Sequence, residues 1–152
     1  MELVRVEGPG PALEQARALL AEYWSSFGFT PCFQGFDREM AALPGAYAPP
    51  RGTLLLLAGQ GCVAVRPLDA ETAEMKRLYL RPQARGSGLG RALASAAIAH
   101  ARACGFARMV LDTMPEQMAQ AVGLYRSMGF REAPPYLPEP TPGALCLELP
   151  LR

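Results

Sequence analysis

The chain has a single histidine, His100, among its 152 residues, and its four cysteines, Cys32, Cys62, Cys104 and Cys146, lie far apart with no C-x-x-C pair. Zinc sites draw on grouped Cys and His ligands, so a metal centre of that kind is not expected. Nothing in the spacing around this one histidine suggests a Ser-His-Asp set or an activated Cys–His pair. The cysteines read as buried reduced thiols, small hydrophobes in effect. Only Cys62, in a central strand, keeps some prospect of facing a pocket. Excess charge is lacking as well: 15 basic and 14 acidic residues leave a net charge of +1. No global field then draws nucleic acid or an anionic membrane, and any anion site must be local. Long apolar runs are missing, the longest being LLLLA at 54–58, against the roughly 18 residues a membrane span requires. The opening MELVRVEGPG carries neither a basic leader nor an apolar stretch, so it reads as a strand and not a signal peptide. A cytoplasmic protein without membrane or nucleic-acid partners is the expectation.

Half of the residues are hydrophobic and 19% are charged, enough for a full core in one domain spanning 1–152. Residues 3–6 suggest a strand. Pro11 then opens a helix in which Leu13, Ala16, Leu20, Tyr23 and Phe27 recur at helical spacing, with Gly28 as its stop. GFDREMAAL is a second, short helix closed by Pro44-Gly45. TLLLLA (53–58) and GCVAVRPL (61–68), split by Gly59-Gln60, form a hairpin, and AEMKRLYL (73–80) is a third strand. A helix over 88–104 ends at Gly105, and RMVLD (108–112) is a strand. Thr113-Met-Pro-Glu116 fits a capping box for a helix reaching Met128. Strands near 131–136 and 144–151 flank a stiff loop with five prolines in PPYLPEPTP. The order β-α-α-β-β-β-α-β-α-β-β predicts an α/β fold with a mixed sheet and helices on both faces.

The most informative stretch is RPQARGSGLGRAL, residues 81–93. A helix start leaves backbone N–H groups unpaired and gathers about half a positive charge. Gly86, Gly88 and Gly90 keep side chains out of the way of an anion and permit unusual backbone angles. Arg85 and Arg91 add charge with bidentate reach. The loop is therefore suited to a phosphate or pyrophosphate. It is not a dinucleotide fingerprint: from Gly86 or Gly88 the third position falls on Arg91 or Leu93, although Asp112 is an acid at a suitable distance. It is not a Walker loop either, for Gly-Lys-Ser/Thr is absent.

Gln83-Ala-Arg-Gly86-Ser-Gly88 resembles the Q/R-x-x-G-x-G/A signature of the GNAT superfamily of acyl-CoA N-acyltransferases. EMKRLYLRP before the loop and the A-x-x-LY-x-x-x-GF pattern from Ala121 to Phe130 extend the resemblance over nearly the whole chain. LPGAYAPPRG and EAPPY are similar to an abundant bacterial subgroup. The resemblance implies a GNAT-like, mostly antiparallel central sheet and acetyl-CoA as cosubstrate, its pyrophosphate held by Arg85, Gly86, Ser87, Gly88, Leu89, Gly90 and Arg91. It further implies that the pantetheine arm lies along Leu78, Tyr79 and Leu80, where a bulge splays the strand, and that a backbone N–H near Leu80 polarises the thioester carbonyl.

Two residues occupy the family's catalytic positions. Tyr125 stands at that of the general acid that protonates the departing thiolate, though it also falls on a helical packing stripe with Met118, Ala121, Val122 and Met128. Glu74 stands at that of the general base, and equally suits a solvated carboxylate paired with a nearby Lys or Arg. Met118 replaces the asparagine many relatives carry. Acceptor-pocket walls are expected from Phe33, Phe36, Tyr47 and Tyr136, with Asp37, Glu39 or Glu116 holding a cationic amine, while His100 reads as structural. The implied activity is acetyl transfer from acetyl-CoA to a small-molecule, peptide or protein amine by direct attack in a ternary complex. A catalytically silent acyl-CoA sensor or partner-binding module on the same fold is the alternative, and a homodimer through the last strands is compatible with either.

Overall fold

A computed structural model describes residues 2–26, 35–57, 59–116 and 118–152. The elements run β1 (Leu3–Arg5), α1 (Pro11–Ser26), α2 (Phe36–Ala42), β2 (Thr53–Leu57), β3 (Gly61–Pro67), β4 (Thr72–Leu80), α3 (Leu89–Ala103), β5 (Arg108–Thr113), α4 (Ala119–Ser127), β6 (Arg131–Glu132) and β7 (Leu145–Pro150). This is the expected order. Among the described residues the strands form one sheet ordered β1-β2-β3-β4-β5-β7-β6. Every neighbouring pair is antiparallel except β4–β5.

Strand β2 shows why helices cover both faces: all its residues are buried, so neither side can meet water. Leu55 and Leu57 join one core with Leu93, Ala94, Ala97 and Ala101 of α3, whose small side chains let the helix lie close. Leu54 and Leu56 join the other with Leu13, Ala16 and Leu20 of α1, part of the expected stripe. Leu19 and Trp24 are also buried on α1. The proposed helix end at Phe27 and Gly28, like Cys32 and Phe33, lies outside the described residues.

Two irregularities of β4 shape the site. Its parallel pairing with β5 covers only Thr72↔Arg108, Ala73↔Met109 and Glu74↔Val110, after which the strands part. Against β3 the register shifts, with Cys62 opposite Tyr79 but Ala64 opposite Lys76. The extra residue is accommodated at Arg77, whose φ of 60° makes it the one described non-glycine residue with positive φ. The slip reverses the strand's alternation. Ala73, Met75, Leu78 and Leu80 face α3, whereas Tyr79 belongs to the α1 core. Glu74, Lys76 and Arg77 share that α1 face.

Two expectations are corrected. Thr113 does not cap a helix: it is the last residue of β5, paired with Leu145, and its hydroxyl lies 3.4 Å from Met118 Sδ. Completing that ladder keeps Thr113 extended, so α4 begins only at Ala119. The strand expected over 131–136 stops at Glu132, because Pro134 and Pro135 carry no N–H to prolong it.

Candidate active site

Between β4 and α3 the chain makes a short 3₁₀ turn, Pro82–Ala84, and then the glycine loop. Gly86 and Gly88 both sit at φ +81°, a left-handed conformation that side chains strain to adopt, and a Cβ on either would meet nothing within 4 Å. The loop therefore presents an open surface. Among the described residues, no amide from Gly86 to Arg91 donates a well-formed hydrogen bond to a backbone carbonyl; α3's first bond into the loop runs from Ala92 N–H to the Gly88 carbonyl. Ser87 turns its hydroxyl inward onto the Ala84 carbonyl at 2.6 Å. Arg85 donates to the Leu80 carbonyl at 3.1 Å and lies over the Tyr79 ring. Arg91 donates to Ser127 Oγ at 2.6 Å, tying the loop to α4. A diphosphate fits this cradle of free donors and two exposed guanidinium groups.

The cradle adjoins the opening between β4 and β5, where, among the described residues, the β4 edge beyond Glu74 has no strand beside it. Leu78 and Leu80 pack their side chains toward α3, and Gly90 lies where a Cβ would touch Leu80 and Leu124. Tyr79 points the other way, its hydroxyl 3.2 Å from Glu22, which also holds Arg81 bidentately. Leu89 is half-buried against the α3-side core. Tyr125 is buried on α4, ring to ring with Phe130 at 5.7 Å, so the packing stripe is real for this residue. Its hydroxyl makes no hydrogen bond among the described residues. Burial pushes the phenol's pKa up, and Tyr23 on α1 adds to the effect from the opposite face of the sheet. The proton therefore stays on at neutral pH.

On the α1 face lies a charged cluster. Glu74 is not solvated, as one sequence reading allowed, but wholly buried; the paired half of that reading holds. Its Oε1 accepts from Arg66 Nε at 2.5 Å and its Oε2 from the Tyr136 hydroxyl at 2.5 Å. Burial, reinforced by the Glu74 charge, raises the Tyr136 phenol well above its usual range and keeps it a donor. Asp112, two residues beyond the last β4–β5 rung, has its carboxyl raised by burial, with Lys76 pulling the other way. Burial and the neighbouring Arg77 lower the Lys76 ammonium.

Arg77 is 5% exposed and makes a bidentate pair with Glu39 of α2, at 2.9 and 2.8 Å, beneath the Trp24 ring at 4.6 Å. Glu39 is thus engaged and not free for an acceptor amine. Asp37 folds onto its own helix start, at 2.9 Å from the Arg38 amide, and Glu116 is solvent-exposed. Tyr47 and Phe36 do line this side, the Phe36 ring lying tilted against Trp24 at 5.0 Å. Cys62 faces the bulge instead of a pocket: its thiol donates to the Arg77 carbonyl at 3.5 Å, and burial lifts it to about 12.

His100 is structural in setting, far along α3 from the loop. Arg5 Nη1 lies 3.3 Å from Nδ1, and an arginine can only donate, so the ring proton sits on Nε2, 2.8 Å from the Arg51 carbonyl. The fold does place Cys104 Sγ 3.5 Å from Nε2, a Cys–His neighbourhood not foreseen from spacing. That nitrogen already carries a proton and cannot take one from the thiol. The sequence reading also missed Arg66, Arg77 and Lys76 as parts of the site. The adjacent Lys76-Arg77 charges inside an alternating strand were the available signal.

Residues 15–130 match the Acetyltransferase (GNAT) family. An uncharacterised N-acetyltransferase of Schizosaccharomyces pombe is 38% identical over 143 residues, covering 90% of this chain and 87% of the relative. An acetyltransferase structure from Streptococcus agalactiae superposes with a TM-score of 0.81 at 21% identity, over 98% of this chain and 97% of that one. A GNAT family acetyltransferase from Elizabethkingia anophelis, solved with acetyl-CoA bound, does so at 0.64 and 20% identity, over 98% and 97%. The chain belongs to the acetyltransferase (GNAT) family, and its mixed α/β fold is that of these structures. No helix among the described residues is long and apolar enough to cross a membrane.

Proposed function

We propose that this chain, acting as one catalytic domain, transfers an acetyl group from acetyl-CoA to a primary amine by direct attack in a ternary complex. The observation that carries the reading is the run of free amides at 86–91 placed against the unpaired edge of β4. Those amides, with Arg85 and Arg91, would hold the pyrophosphate, and the backbone of residues 78–80 would take the pantetheine arm. Bound there, the cosubstrate supplies an activated thioester carbonyl.

An amine entering on the α1 face meets Tyr136 and Glu74. Both Glu74 oxygens are engaged, so the proton leaving the amine passes to the Tyr136 oxygen while Tyr136 gives its own to Glu74. Arg66 holds that carboxylate in place. Tyr125, kept protonated by burial, donates to the departing sulfur. The carboxylates of Glu74 and Asp112 favour a cationic amine reaching this side.

Calorimetry with acetyl-CoA, followed by thiol release over a panel of primary amines, tests the reading. Binding with turnover on at least one amine supports it. Binding without turnover on any amine favours the silent sensor, and no binding at millimolar acetyl-CoA rejects the site.

A further inference from the structure

Lys76 is the only lysine in the chain, set against 14 arginines. Its neighbours on the α1 face are matched: Arg66 pairs with Glu74 at 2.5 Å and Arg77 with Glu39 at 2.8 Å. Lys76 has no such partner among the described residues, although it is half-buried. Its position explains this. Glu74↔Val110 is the last rung between β4 and β5, and continuing the register would set Lys76 opposite Asp112. The strands part before that rung forms. Lys76 therefore stands at the mouth of the opening, on the face from which an acceptor would come, with Glu74 and Glu39 already taken and Asp112 acting on it through space without an ion pair.

We propose that Lys76 is itself an acceptor, and that the chain acetylates this side chain from its own bound acetyl-CoA. The inference rests on the acetyl-transfer reading above. Burial and the Arg77 charge lower the ammonium's pKa, raising the share of neutral amine able to attack. In the step, a proton leaves the ammonium for solvent, Nζ bonds to the thioester carbonyl carbon and the carbon–sulfur bond breaks. One of the two protons left on nitrogen is then lost as the sulfur gains one, and the other stays on the amide, giving N-acetyl-lysine and free CoA. The product is an amide, which cannot pass the acetyl group on. It removes a positive charge from the acceptor side and adds bulk there, so modification would close the site when no outside amine is present.

The purified chain incubated with acetyl-CoA alone provides the test, read by intact mass, hydroxylamine treatment and peptide mapping. The expected result is one hydroxylamine-stable acetyl group on Lys76. It should form at a first-order rate unchanged by tenfold protein dilution, slow under excess CoA and disappear in Lys76→Arg. Direct mapping in the unaltered chain keeps the test valid even if that variant folds poorly. A thermal upshift with acetyl-CoA but no acetyl group on Lys76 overturns the inference and leaves the transfer reading standing. Equal modification in Gly88→Glu marks chemical acetylation by the reagent and also overturns it. Absence of both upshift and modification removes the two together.

Discussion

The Tyr136 hydroxyl lies 2.5 Å from Glu74 Oε2, fastening the proline-rich loop to the first part of β4. The two residues are 62 positions apart, and the contact closes over a carboxylate with no solvent exposure. On the proposed proton route the loop would belong to the acid–base apparatus as well as to the wall of the acceptor side. Tyr136→Phe is expected to lower kcat on the order of 10²-fold, the scale of one general acid–base group, with the Kd for acetyl-CoA little changed. Steady-state kinetics beside calorimetry check this, and an unchanged kcat would remove Tyr136 from the proton route.

Tyr125→Phe keeps the ring that packs on Phe130 and removes only the hydroxyl. The fold and the KM for acetyl-CoA should hold while kcat falls by about 10²-fold. Equal thermal melts with equal kcat would reduce Tyr125 to a packing residue.

Gly88→Glu sets a carboxylate where φ is +81° and free amides converge. Losing two or more charge-assisted hydrogen bonds, each about 1.5–3 kcal/mol, corresponds to at least a 100-fold weaker Kd for CoA. Calorimetry at matched protein fold measures it. Undiminished affinity would mean the diphosphate is held elsewhere.

The Arg77–Glu39 pair predicts an acid signature. Burial is the largest single influence and would lift the Glu39 carboxyl, but the Arg77 hydrogen bonds and charge, with a hydrogen bond from Tyr47, together outweigh it and hold the group below its ordinary 4.5. A carboxylate depressed in the fold contributes stability above its unfolded pKa and loses it as pH falls through the folded value. Glu39→Gln should therefore be less stable than the parent at neutral pH, with the gap narrowing below about pH 4.5. Arg77→Met, which leaves a mostly buried Glu39 unpaired, should cost on the order of 3 kcal/mol at pH 7. Urea midpoints across pH read both, and a gap independent of pH would contradict the pairing's role.

Much of this was legible in the chain itself. The 53–68 hairpin, the alanine-rich helix and the glycine loop follow from alternation, helical spacing and turn residues, and they fall where expected. Even the bulge leaves a trace, because the α3-facing positions of β4 run 73, 75, then 78, 80, a slip of one in the alternation. What could not be read are contacts fixed only by packing. Glu74 to Tyr136 and Arg77 to Glu39, the latter 38 positions apart, depend on how loop and helix settle on the sheet. Thr113 misled for a similar reason: its local motif suits a helix cap, but the ladder with β7 satisfies its backbone first.

The three rungs joining β4 to β5 have a mechanical consequence. They act as the short spine of a book whose one leaf carries β1–β4 and whose other carries β5–β7. A molecule lying in the gutter beyond Glu74 would stitch the leaves along the length the spine leaves unbound. Part of what it gains in holding the protein together is thus the stiffness the sheet forgoes without it.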